Sequence, residues 1–425
     1  MSINQTRHNP QPKTIKNAVE SGFALADNGS SLGTTTGLAS TRTNIDVQDT
    51  TQQKQQSNAV RYKLQNYAQE LHPASRLSAC LKVMTHDTDF VDVHYNADDH
   101  HAHYQGLAHC DNVWGCPVCS GRISSQRAEE IRQAYSYAID EKKMRIVMVT
   151  YTLSHHKFDS LQDLVDAIRS ARKKMRSGRS WQNFKANYGY VGAIASFEVT
   201  HGEDNGWHPH VHEIMVLDPE QAEYDIDPTT SDEILQKWLT DELSPEWIKS
   251  LAKVDRTASS ERGLDVRTTS QYVGEYIAKY GKLPNDLTWD IALEIAKNNR
   301  KSDSQGLHPF SMLAKAFDKD LSVAERNKYR ALWYEYMATF KGQKQIFWTK
   351  GLKDLLLVPD ALDETEKESF VVVKLQDYMW SWVCKNRLRA ELLNQVLRCR
   401  GDSGIVNAWL KSERAKRRLL DKMKV

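Results

Sequence analysis

The sequence predicts an α+β fold: a central antiparallel sheet with flanking helices, a small cysteine-rich module ahead of it and a mostly helical region behind. Three observations carry this. β-Branched runs such as "RIVMVTYTL" (145–153) and "YVGAIASFEVT" (190–200) alternate with segments of helical period. The turn-rich "HGEDNGWHP" joins two runs as an antiparallel hairpin. Three of the six cysteines crowd into "HCDNVWGCPVCSGR".

Residues 1–60, rich in Ser, Thr, Asn, Gln and Gly with few large apolar side chains, read as a disordered arm. Residues 61–125 form a cysteine- and histidine-containing module. A helix starting near Ser124 and running through "QRAEEIRQAYSYAIDEKK" bridges into the main domain, residues 126–300. There the first strand is 145–153, after which Leu161, Leu164, Val165, Ile168 and Met175 recur at helical spacing. That helix buries its apolar stripe and turns Arg169, Arg172, Lys173 and Arg176 away from it. Strands 190–200 and "HVHEIMVL" (210–217) pair; a helix around 231–252, a short strand in "GLDVRTT" and a helix from Ser270 complete the pattern. Residues 301–425 are mostly helical and end in a basic helix.

The net charge of +2 hides local clusters. Between Arg169 and Lys185 lie seven Lys or Arg and no Asp or Glu, and from Lys385 onward twelve basic residues face four acidic ones. Arg169, Arg172, Lys173, Lys174, Arg176 and Arg179, interleaved with Trp181, suit phosphates and unstacked bases, although a solvated helix face has the same composition. No run reaches the ~18 apolar residues of a membrane span, and the first residues lack the apolar core of a secretory signal. The expected location is the cytoplasm, with no membrane partner, where six cysteines do not form a disulfide framework. Cys110, Cys116 and Cys119 instead follow C-x5-C-x2-C, which suits zinc, with Cys80, His109 or His103 open as the fourth ligand and reduced structural thiols as the alternative.

In "GWHPHVHEIMVL" (206–217), His208, His210 and His212 stand at alternate positions and so share one strand face. A hairpin centred on Asn205 sets Glu198 opposite His212, making Glu198, His210 and His212 a three-ligand set. Two imidazoles and a carboxylate suit Mn2+ better than Mg2+, and the identity of the divalent ion stays open. Downstream, Tyr272, Tyr276 and Tyr280 stack at four-residue spacing on one helix face, with Lys279 beside the last. Alone, such a stripe reads as core packing. Beside a metal strand it reads as nucleophiles facing a phosphodiester polarised by the ion.

The pair "HPHVH" and "YIAKY", in that order, resembles the HUH (His-hydrophobic-His) endonucleases, specifically the rolling-circle plasmid replication initiators of the first Rep class. "VMVTYTL", "SFEVTHGEDNGWHPHVH" and "QIFWTKGL" are similar to further family segments, so the resemblance spans roughly residues 80 to 352. It implies a ferredoxin- or RRM-like nicking domain that cuts origin DNA at a single-stranded or hairpin site beside duplex, through a 5′-phosphotyrosine, and leaves a 3′ hydroxyl as primer. It further implies His210 and His212 as metal ligands with Glu198 as third, Tyr280 as first nucleophile, Lys279 near the phosphate, and a host replicative or accessory helicase as partner. Departing from the commonest plasmid pattern, Tyr276 stands where a carboxylate is usual, with Glu275 beside it, as in the two-tyrosine phage arrangement. Two alternatives stay open: an HUH transposase, and a non-catalytic zinc-containing DNA-binding regulator.

Overall fold

Strand-forming runs that alternate in burial must pair edge to edge to satisfy their backbone groups, and here they do so in two antiparallel sheets. The computed structural model describes residues 44–227, 229–268, 306–359 and 368–423. The first sheet, of three strands, has the order β2-β1-β8, with β1 Val91–Asn96, β2 His101–Gln105 and β8 Phe370–Leu375. Order β6-β3-β5-β4-β7 defines the second, in which β3 is Arg145–Tyr151, β4 Tyr190–Gly202, β5 Gly206–Leu217, β6 Leu264–Arg267 and β7 Ile346–Trp348.

Helices cover both faces of the five-stranded sheet. On one side the helix Leu161–Met175 lays down Leu164, Val165, Ile168, Ala171 and Met175, all buried, and the helix Asp232–Ala252 packs beside it. Ser160 caps the former by accepting from the Asp163 amide at 3.1 Å. On the other side the long helix Pro117–Ser136 places Ala128, Ile131 and Ala134 against Ile146, Ile194, Ile214 and Val216. This helix begins at Pro117, ahead of the expected Ser124, because Cys116 serves as N-cap and proline is well suited to the first turn.

A helix spans Asn44–Leu71, starting inside the stretch whose composition reads as an arm. Its inward face carries Tyr62, Leu64 and Ala68 together with the buried Gln65 and Gln69, whose amides find partners. Gln69 donates to the carbonyls of Leu77 and Cys80, at 3.2 and 2.9 Å, so its buried amide group is hydrogen-bonded. Residues 1–43 lie outside the described set.

The region after residue 300 is mostly helical, as expected, yet it also supplies a strand to each sheet. β7 pairs with β4, bringing Ile346 opposite Ser196, and β8 pairs with β1, bringing Val373 opposite Val93. Arg389, 1% exposed, reaches from the helix Arg389–Arg398 to the carbonyls of Cys80 and Leu81, at 3.3 and 3.1 Å. The cysteine-containing segment and the C-terminal helices therefore pack as one unit. Among the described residues no helix is long and apolar enough to cross a membrane.

Candidate metal centre and nucleic-acid interface

β4 and β5 pair over their full lengths, with Gly202 opposite Gly206, Thr200 opposite His208, Glu198 opposite His210 and Ser196 opposite His212. The hairpin is thus centred on Asp204, not Asn205, and Glu198 faces His210 rather than His212. A two-residue slip leaves every side chain on its predicted face, so the three expected ligands still meet. His210 Nε2 and His212 Nε2 approach the same oxygen, Glu198 Oε2, at 3.2 and 3.4 Å. Bonds of about 2.0–2.2 Å to one ion separate neighbouring ligand atoms by roughly 3–3.5 Å, so this donor set fits a divalent cation. The side chains of His210 and His212 are 14% exposed and that of Glu198 25%, which leaves the site open to a substrate oxygen.

The face has two halves. Ile214 and Val216 continue the histidine row and are sealed under the helix Pro117–Ser136, whereas the histidines lie toward the hairpin end. Thr150, opposite His212 on β3, makes a 2.9 Å hydrogen bond to His212 Nδ1. With Nδ1–H donating to the threonine oxygen, the Nε2 lone pair turns to the ion. Sequence reasoning missed Thr150. Its signal was the alternation in "VMVTYTL", which puts the threonine on the histidine face.

His208 lies outside this group. Its Nδ1 is 2.8 Å from His155 Nε2, and His155 Nδ1 donates to the Asn205 carbonyl at 2.9 Å. Burial pushes His208 down to about 4, with the neighbouring His210 and His155 acting in the same direction. It is therefore uncharged near pH 7. Tyr276, Lys279 and Tyr280 lie outside the described residues.

The four sulfurs of Cys80, Cys110, Cys116 and Cys119 form a second, fully buried group, all within 4.8 Å of one another. Cys80 is 3.8 Å from Cys116 and 3.5 Å from Cys119, and Cys110 is 3.7 Å from Cys119. Tetrahedral Zn–S bonds of about 2.3 Å set sulfurs about 3.8 Å apart, so the donor set fits zinc with Cys80 as the fourth ligand. His109 stands just outside, its Nδ1 3.9 Å from the Cys119 sulfur. The Gln65 side-chain amide, also missed in the sequence, donates to Cys116 at 3.3 Å and Cys80 at 3.5 Å. The hydrogen bond from Cys110 lowers the Cys119 thiol from its ordinary value.

The basic cluster divides. Arg172 and Arg176 turn inward and both pair with Glu213, a fully buried carboxylate on the β5 face opposite the histidines. Their guanidinium groups also lie over the rings of Tyr151 and Trp181, and that of Arg169 over Phe197. Trp181 is itself buried and stacked on Phe184. Arg169, Arg172, Arg176 and Trp181 thus pack against the sheet, because a buried carboxylate and a row of aromatic faces draw the arginines in. Lys173, Lys174 and Arg179 remain exposed. Glu213→Gln, which leaves two arginines facing an uncharged amide, is expected to cost about 3–5 kcal/mol of stability in urea denaturation. A change below about 1 kcal/mol would show that the cluster does not hold helix to sheet.

The model of the family described as "Replication protein" matches residues 104–319, half of the chain, a span that includes both the Glu198/His210/His212 group and three of the four cysteines. The chain belongs to this replication-protein family. "Protein rep" of Streptomyces lividans is 29% identical to this chain over 303 residues, covering 59% of the chain and 64% of that relative. A protein named "Neomycin resistance protein", from Streptomyces cyanogenus, is 32% identical over 136 residues, 26% of the chain and 31% of its own length. The chain therefore spans less than two thirds of either relative. No solved structure matches it.

Proposed function

We propose that this replication protein initiates rolling-circle replication of a plasmid, nicking one strand of the origin and remaining joined to its 5′ end. What carries the reading is the convergence of His210 Nε2, His212 Nε2 and Glu198 Oε2 at the open end of a sheet, in a chain of the replication-protein family. Such a donor set holds Mn2+ or Mg2+, which when bound orients the scissile phosphate and offsets its developing charge. In the HUH chemistry that the motifs resemble, the Tyr280 hydroxyl oxygen attacks phosphorus, the bond to the 3′ oxygen breaks, and that oxygen takes up a proton to become the primer. Lys279 steadies the phosphate. Tyr276 then serves as a second nucleophile when the origin is regenerated, and a host helicase opens the duplex ahead of synthesis.

Residues 126–300 make up the nicking unit in this reading, and the zinc-bound cysteines brace the segment before it. Lys173, Lys174 and Arg179, the exposed members of the basic cluster, would meet phosphates in this reading.

Incubating the protein with Mn2+ and a supercoiled plasmid carrying its own replicon tests this. A relaxed product with protein on the 5′ end is expected, together with loss of the adduct in Tyr280→Phe. Binding without nicking would leave a DNA-binding regulator. A fully normal Tyr276→Phe beside an inactive Tyr280→Phe would remove the two-tyrosine mechanism.

A further inference from the structure

Close to the histidine face, the turn between β3 and the helix Leu161–Met175 holds a large apolar ring in water. Phe158 is 94% exposed. Single exposed apolar residues are ordinary on protein surfaces, so exposure alone says little. Here the backbone beneath the ring is held in place. The Asp159 amide donates to the His156 carbonyl at 3.0 Å, and the Asp159 carboxylate accepts from the His156 amide at 2.7 Å, closing the turn twice. Arg256 holds the same carboxylate at 3.2 Å, and the Ser154 amide donates to the Thr257 carbonyl at 2.8 Å.

The hairpin tip anchors the turn from the other side. His155 bonds both the Asn205 carbonyl and His208, as described above. Gly206, at φ +72°, lies so close that a Cβ there would come within 2.6 Å of the Lys157 carbonyl oxygen. Only glycine permits that approach. The turn is therefore fixed to the strand that carries His210 and His212, and it presents Phe158 with the exposed Lys157 beside it.

A pre-ordered aromatic face next to an exposed lysine, on a turn tied to the strand whose donor set fits a divalent cation, matches one ligand chemistry well: an unstacked nucleobase with its backbone phosphate. We propose that Phe158 is a stacking platform for an unpaired base of the DNA strand held at the histidine face, with Lys157 on the adjoining phosphate. The role rests on the nicking reading for the identity of that strand. It adds a base contact that neither the metal ligands nor the tyrosines supply.

The test measures binding of the full chain to fluorescein-labelled dT20 by anisotropy, in buffer without added divalent ions, alongside plasmid nicking with Mn2+. Phe158→Ala is expected to weaken dT20 binding by about 5- to 150-fold, the span of one lost base–aromatic stack, with its salt dependence unchanged. Phe158→Trp should bind at least as tightly as the parent, and Phe158→Leu should fall with the alanine variant. Lys157→Ala should reduce the salt slope by about 0.7, as loss of one single-strand phosphate contact does. Parent-like binding by Phe158→Ala, or by Phe158→Leu, would overturn the platform. Because binding is read without the ion, failure of the parent to nick would sink the nicking reading while a Phe158→Ala defect still supported the platform.

Discussion

His210→Ala and His212→Ala are each expected to lower plasmid nicking by about 10³-fold or more at millimolar Mn2+, since each leaves a two-donor site for an ion that contributes several kcal/mol to phosphoryl chemistry. Folding should barely change. Neither imidazole is fully buried, and Val211 and Glu213, which are, are untouched. Thr150→Val makes a subtler partner experiment: it keeps the side-chain shape but removes the 2.9 Å hydrogen bond to His212 Nδ1. The concentration of Mn2+ giving half-maximal nicking should rise by about 10- to 100-fold, with the rate recovered at saturation. Nicking by either alanine variant at the parent rate, in buffer stripped of divalent ions, would remove the metal centre from the mechanism.

Loss of the four-cysteine centre should instead unfold part of the molecule. Zinc bound by four thiolates contributes about 10–16 kcal/mol to folding in small domains, as much as a typical domain's whole stability. Here it would join the helix Asn44–Leu71, through Gln65, to the start of the helix Pro117–Ser136, through Cys116, and to the C-terminal helices, through Arg389 at the Cys80 carbonyl. Elemental analysis should find about one zinc per chain. Cys80→Ser should lower the melting temperature by roughly 10 °C or more and release the metal, whereas Cys399→Ser, outside the group, should do neither. An unchanged melting temperature in Cys80→Ser, with no zinc in the parent, would reduce the group to buried thiols.

How much of this was legible in the chain varies with the range of the interaction. The faces of the five-stranded sheet follow from a period of two, which is why Glu198, His210 and His212 meet although the hairpin is centred one residue away from Asn205. The helix Leu161–Met175 was equally plain, because its apolar stripe is local. Its arginines were not, since composition gives no sign that Arg172 and Arg176 answer a carboxylate on a strand some forty residues later. Trp181 went the same way, into the core with Phe184.

The sequence by itself determined the α+β pattern, the pairing of β4 with β5, and which side chains share the metal face, because backbone periodicity and turn chemistry act between near neighbours. Only the tertiary structure decided that Cys80 joins the other three cysteines, that strands after residue 300 complete both sheets, and that the arginines face inward. Each of these depends on which distant segment reaches a buried donor or an open sheet edge first, and that is settled by packing the whole chain rather than by any stretch within it.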